Sequence, residues 1–121
     1  MKEVRVVFEG DAKEEYLKLK KIVQIEIKEG TIKSDNQILF ASINKKINLL
    51  KTNPISGRAV KKSLIPKKYQ KVGISNLWII NLSNFWRLIY NIQTNEVQII
   101  CFVLEYRDHN KYNDLFGFKK K

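Results

Sequence analysis

Residues 76–112 read N-L-W-I-I-N-L-S-N-F-W-R-L-I-Y-N-I-Q-T-N-E-V-Q-I-I-C-F-V-L-E-Y-R-D-H-N-K-Y. Three runs rich in β-branched and aromatic residues are separated by two turn-like clusters, Ser83-Asn84 and Thr94-Asn95-Glu96. This pattern predicts a three-strand antiparallel meander over 76–104, each strand of about 5–6 residues or slightly more. Arg87 stands inside the middle run, among Trp86, Leu88, Ile89 and Tyr90, and a cluster of Arg107, Asp108, His109 and Tyr112 follows the last run. Apolar strands that deliver an arginine, a histidine and a tyrosine to one end make a scaffold for a site.

Upstream, Val4, Val6 and Phe8 alternate with other residues and predict an opening strand that Gly10 ends. Asp11 is placed as an N-cap, with Glu14 completing a capping box. Tyr16, Leu19, Val23 and Ile27 then recur at helical spacing, widened by Ile22 and Ile25, and Gly30 is the stop. A second helix opens at Ser34 or Asp35, carries a stripe of Leu39, Phe40, Ile43, Ile47 and Leu50, and ends at Asn53-Pro54. In the connecting segment 55–73, six cations interleave with Leu64, Ile65 and Tyr69, while Gly57, Pro66 and Gly73 prevent one long helix. The expectation there is a loop or one short helical turn, draped outward over the sheet edge and pinned by Val60, Leu64 and Ile65. Downstream, 109–116 makes about two helical turns with Gly117 as the stop. Phe116 and Phe118 pack back on the domain, and the lysines at 119–121 add charge. The reading is α+β: an N-terminal strand, a two-helix hairpin packed on a mostly antiparallel four-stranded sheet, and a short C-terminal helix. Residues 1–121 are read as one domain.

A chain of 121 residues is large enough for a hydrophobic core without staples. Apolar residues make up 44% and charged ones 29%, as in soluble globular proteins. The longest apolar runs fall short of a transmembrane span, and the first residues lack an apolar signal core. Cys101, the one cysteine, lies within an apolar run, so the expectation is a buried, inert thiol in a reducing, cytoplasmic compartment.

Charge is distributed unevenly. The net charge is +11, yet residues 1–35 hold 8 basic and 8 acidic side chains. Residues 36–95 hold 10 basic side chains and no Asp or Glu. Sixty consecutive residues without a carboxylate predict a positive face that attracts phosphate backbones or another polyanion.

One histidine, one cysteine and no carboxylate pair at ligand spacing argue against a metal centre. There is no Gly-rich phosphate loop and no G-x-S-x-G. What remains is a reaction on a polyanion that needs neither metal nor cofactor, or binding without reaction. RNA offers such a reaction, because its own 2′-OH attacks the adjacent phosphate. The protein then positions the chain, handles two protons and stabilises developing charge. Arg87, Arg107, His109 and Tyr112 are the candidate catalytic residues. Arg58, Lys61, Lys62, Lys67, Lys68 and Lys71 are the candidate RNA-binding residues. Each has a plainer reading: Arg87 reaches a neighbouring carboxylate, His109 only opens a helix, and Tyr112 is a packed aromatic.

The order of elements, with N-F-W-R-L-I-Y-N-I at 84–92, E-V-Q-I-I-C-F-V-L at 96–104 and Y-R-D-H-N-K-Y at 106–112, resembles the RelE/ParE toxin superfamily of type II toxin–antitoxin systems. The RelE branch implies a ribosome-dependent mRNA endonuclease, neutralised by an acidic antitoxin that wraps the basic face. On that resemblance Arg87 stabilises the scissile phosphate, His109 or Tyr112 transfers protons or stacks on a base, and Arg107 contacts the backbone. RelE-type nucleases usually also carry basic residues on the strand before the Arg-bearing one, whereas 77–82 here holds no lysine or arginine. Lys68 and Lys71 substitute for them only if the connecting segment folds over the site. The alternatives are a ParE-like toxin directed at DNA gyrase or another target, and a non-catalytic module that binds nucleic acid or a partner on the same fold.

Overall fold

The computed structural model of the chain describes residues 2–117, with the side chains of His109 and Lys111 outside the described set. Phe118 and the lysines at 119–121 also lie outside the described residues. The order is β1 (Glu3–Phe8), α1 (Gly10–Lys28), α2 (Asp35–Thr52), β2 (Arg58–Ala59), α3 (Lys67–Gln70), β3 (Trp78–Asn81), β4 (Arg87–Thr94), β5 (Gln98–Arg107) and α4 (His109–Phe116). Short 3₁₀ turns at Lys62–Leu64 and Ser83–Phe85 link the pieces.

The strands form one sheet in the order β1-β5-β4-β3-β2, with β1 parallel to β5 and the other neighbours antiparallel. The sheet has five strands where the sequence reading has four. The addition is β2, whose Arg58 and Ala59 pair with Ile79 and Trp78. Its approach depends on Gly57, where a Cβ would lie 2.8 Å from the Ile79 carbonyl oxygen and 2.8 Å from the Tyr90 hydroxyl. The Tyr90 hydroxyl donates to the Pro54 carbonyl at 2.8 Å and accepts from the Gly57 N–H at 3.2 Å, which ties the start of the basic segment to β4. Asn76 performs a similar service at the other end of β4, exchanging two hydrogen bonds with the Ile92 backbone at 2.8 and 3.0 Å.

Both helices pack on one face of the sheet. Leu19 and Val23 of α1 and Leu39, Ile43 and Leu50 of α2 meet Ile80, Leu88, Tyr90, Cys101, Val103 and Tyr106 in the larger core. Ser34 caps α2 as read, its hydroxyl accepting from the Gln37 N–H at 3.1 Å and donating to Glu26 of α1 at 2.6 Å. Three local expectations are corrected. The N-cap of α1 is Glu9 without a side-chain hydrogen bond, not Asp11, because the helix begins directly after β1. Ile27 is 63% exposed, and Ile22 and Ile25, read as widening the stripe, are 43% and 49% exposed, since that side of α1 runs past the sheet. Leu64 is 49% exposed, and Tyr69 joins Ile65 in the anchoring role instead.

The opposite face carries a second, smaller core of Leu77, Ile79 and Ile89. The basic segment covers it through Ile65 and Tyr69, and α4 covers it through Tyr112, Leu115 and Phe116. The segment therefore lies across a sheet face as well as along the edge. No helix among the described residues is long and apolar enough to cross a membrane.

Candidate functional site

The site lies on the second face, at the end of the sheet where β3 and β5 finish and β4 begins. Antiparallel pairing aligns Asn81 with Arg87 and Arg87 with Arg107. Directly opposed residues share a face with Cβ atoms about 5 Å apart, so the two arginines stand side by side.

Simple alternation along β5 would not have produced this. Val103 and Cys101 face the helices, and a strict period of two would send Glu105 and Arg107 the same way. The register shifts instead: Tyr90 pairs with Val103 while Ile89 pairs with Glu105, leaving Leu104 as an extra residue. This β-bulge exchanges the two faces beyond it. Tyr106 turns to the helical core, and Leu104 joins the second one.

Arg87 lies with its guanidinium carbon 5.7 Å from the centroid of the Tyr112 ring, within cation–π range. One terminal nitrogen donates to the Trp86 carbonyl at 3.1 Å. Its Nε is buried without a hydrogen-bond partner, and Arg87 forms no ion pair among the described residues. The plainer reading of Arg87, a partner for a nearby carboxylate, is not what the structure shows. A buried polar atom without a partner is unusual in folded proteins, and Ser56 Oγ and Asn91 Oδ1 share that condition among the described residues. Tyr112 is both packed and placed at the candidate site: its ring packs at a tilt against Phe116, centroids 5.0 Å apart, and underlies Arg87. Residue 109 opens α4, and its side chain lies outside the described residues.

Of the candidate RNA-binding residues, two reach the site. Arg58 donates to the Asn81 side-chain oxygen at 3.3 Å. Lys68, on α3, brings its ammonium 3.3 Å from Glu105. Lys61, Lys62, Lys67 and Lys71 are exposed on the same segment, and the structure does not bring them against Arg87.

Glu105 is the site residue that the sequence reading missed. Its carboxylate lies 2.5 Å from the Arg107 Nε, meets Lys68, and accepts a short hydrogen bond from the Tyr69 hydroxyl. Burial pushes the Tyr69 hydroxyl far above its ordinary pKa of 10.0, and the bonded Glu105 charge pushes the same way. Tyr69 therefore stays a donor at neutral pH. The available signal in the sequence was one carboxylate inside an otherwise apolar strand, two residues before Arg107. Nothing local showed which cations it would meet.

Beside the site runs a groove of about 850 Å³, whose charged lining is Lys18, Lys68 and Arg107 with Glu9, Asp11, Glu15 and Glu105. Arg87 and Tyr112 do not line it. Cys101 is fully buried, and burial pushes its thiol up to about 11, so it is protonated and inert at neutral pH. No group of three or more His, Cys, Asp or Glu residues that could hold a metal ion occurs among the described residues.

No protein-family model and no curated protein matches the chain. Among solved structures, a YoeB/ParE toxin from Agrobacterium tumefaciens matches with a TM-score of 0.55 at 15% identity, covering 87% of this chain and 98% of that one. The resemblance seen in the sequence thus extends to the arrangement of helices and sheet, and this chain shares the fold of that YoeB/ParE toxin.

Proposed function

We propose that this protein is the toxin of a toxin–antitoxin system and that it cleaves mRNA on the ribosome. The observation that carries the reading is the Arg87 and Arg107 pair across β4 and β5, with Tyr112 beneath Arg87 and the Arg87 Nε buried without a partner. The fold shared with a YoeB/ParE toxin supports the toxin assignment.

In the proposed reaction the 2′-OH of one nucleotide attacks the adjacent phosphorus and gives up its proton. The 5′ oxygen of the next nucleotide leaves and takes one. The products are a cyclic 2′,3′-phosphate and a 5′-hydroxyl. Arg87 and Arg107 stabilise charge on the phosphoryl oxygens through N–H donors suited to them. Tyr112 and His109 are the candidates for proton transfer or for stacking on the splayed base. Arg58, Lys61, Lys62, Lys67, Lys68 and Lys71 extend the positive field along the RNA. The same field attracts an acidic antitoxin that covers the face.

The test is cleavage of mRNA on translating ribosomes by the purified protein, compared with Arg87→Ala. Cleavage by the wild type that falls about 10²- to 10³-fold in the variant is the expected result. A folded wild type that does not cut overturns the nuclease reading. The second reading, a toxin acting on DNA gyrase or another target, rests on β3, Trp78–Asn81, which carries no lysine or arginine. Growth arrest on expression that persists unchanged in Arg87→Ala selects that reading instead.

A further inference from the structure

We infer that Glu105 is a positioning residue, which holds Lys68 and Arg107 jointly toward a phosphate bound beside Arg87. The inference rests on the nuclease reading and deepens it.

Three donors converge on this one carboxylate. One oxygen accepts from Tyr69 and lies 3.3 Å from the Lys68 ammonium, and the other lies 2.5 Å from the Arg107 Nε. An ionised carboxylate offers about four lone-pair sites. With three donors already on them, Glu105 is poorly placed to take a proton from a 2′-OH and well placed to fix its partners. Exposure points the same way: the Glu105 side chain is 13% exposed, while Arg107 is 26% and Lys68 50% exposed. The anion is the least exposed of the three, and the cations it organises reach solvent.

The network also bears on the missing cation of β3. No basic residue of that strand faces the site. The charge arrives from α3, whose Tyr69 is buried in the second core and whose Lys68 is drawn to Glu105. Tyr69 and Lys68 are adjacent in sequence, so a single carboxylate both latches the segment to β5 and sets the ammonium beside the arginine pair. Holding Arg107 by its Nε edge likewise fixes the plane of its guanidinium. Positioning of this kind acts on the chemical step, because small displacements of a catalytic group cost about 10²-fold in rate.

The experiment compares wild type, Glu105→Gln, Lys68→Ala and the double variant in single-turnover cleavage on translating ribosomes. RNA affinity is measured in parallel by anisotropy with a short single-stranded RNA. Glu105→Gln keeps the acceptor for Tyr69 but loses the charge. The expected result is a rate lowered about 10- to 100-fold with RNA affinity unchanged or tighter. The double variant is expected to be no slower than the slower single variant, since both changes disable one unit. A purely repulsive carboxylate predicts the reverse, with faster cleavage once the negative charge is gone. Wild-type cleavage with an unimpaired Glu105→Gln overturns the inference and leaves the nuclease reading standing. So do single-variant losses that add in full. Absence of wild-type cleavage overturns both, and the wild-type lane distinguishes the cases. Lys68→Ala, a change at an exposed side chain, keeps the test decisive if Glu105→Gln fails to fold.

Discussion

The two faces of the sheet use the same strands for different ends. On the helical face, Leu88, Tyr90, Cys101 and Val103 are fully buried beneath α1 and α2, helices of 19 and 18 residues with long apolar stripes. On the other face, Ile79 and Ile89 are covered by α3, of 4 residues, and α4, of 8 residues. Such short covers leave one end of the face open, and there the apolar rows give way to Asn81, Arg87, Glu105 and Arg107. Long helices bury enough surface to hold the domain together. The burden on the second face is correspondingly lighter, so it tolerates a buried nitrogen without a partner and a cluster of charges. The larger core and the candidate site are thereby separated by the thickness of one sheet.

Changes on each face test that separation. The largest expected effect on stability is from Leu88→Ala, which empties a fully buried position beneath the helices. It should cost about 2–5 kcal/mol in urea unfolding. Arg87→Ala, one residue away, should cost about 1 kcal/mol or less, since it loses one hydrogen bond to the Trp86 carbonyl and the contact with Tyr112 but relieves a buried Nε without a partner. It should instead abolish most cleavage. If Arg87→Ala destabilises the fold as much as Leu88→Ala does, the two faces are not separate in function.

Alkaline unfolding sharpens the same comparison. Burial raises the Cys101 thiol from 9.0 to about 11 and the Tyr90 hydroxyl from 10.0 to about 12, both on the helical face. Burial raises Tyr106 on that face, and Tyr69 on the other, beyond this range. The folded chain keeps these protons while the unfolded chain releases them, so stability is full below about pH 9 and falls progressively as pH rises toward 12 and beyond. Urea midpoints at pH 8, 10 and 11 should decline in that order, and Tyr69→Phe should remove only part of the decline. The smallest effect belongs to Ile27→Ala, which should change stability by less than about 1 kcal/mol, because that side chain is 63% exposed. A loss comparable with Leu88→Ala would show that the end of α1 is packed after all.

Much of the fold was legible in the sequence because its signals are local. The Ser34 cap, the stop before Pro54 and the turn at Asn95 each depend on residues within a few positions. In the turn, the Asn95 side chain accepts from the Val97 and Gln98 backbone N–H groups at 2.8 and 2.9 Å. Arg87, Arg107 and Tyr112 were legible as site candidates because they flank apolar strands at one end. Asp11 was misread because α1 begins directly after β1, whereas Ile27 and Leu64 were misread for a shared reason. Helical or interleaved spacing says which residues could be buried, and the extent of the neighbouring surface decides which are. The two-residue β2 was also illegible, because it exists through the close approach of Gly57 to Ile79 and Tyr90.

Glu105 marks the boundary between the two kinds of information. By itself the sequence determined the alternating strands, the amphipathic helices, the positive charge of 36–95 and the residues available for chemistry. Periodicity and charge are properties of neighbours along a chain. Only the tertiary structure decided that Leu104 bulges, that Glu105 and Arg107 consequently turn to the face of Arg87, and that Tyr69 and Lys68 arrive there from 36 and 37 residues away. A one-residue shift of register leaves the composition unchanged and reassigns every side chain beyond it, so the pairing of strands had to be seen before the site could be assembled.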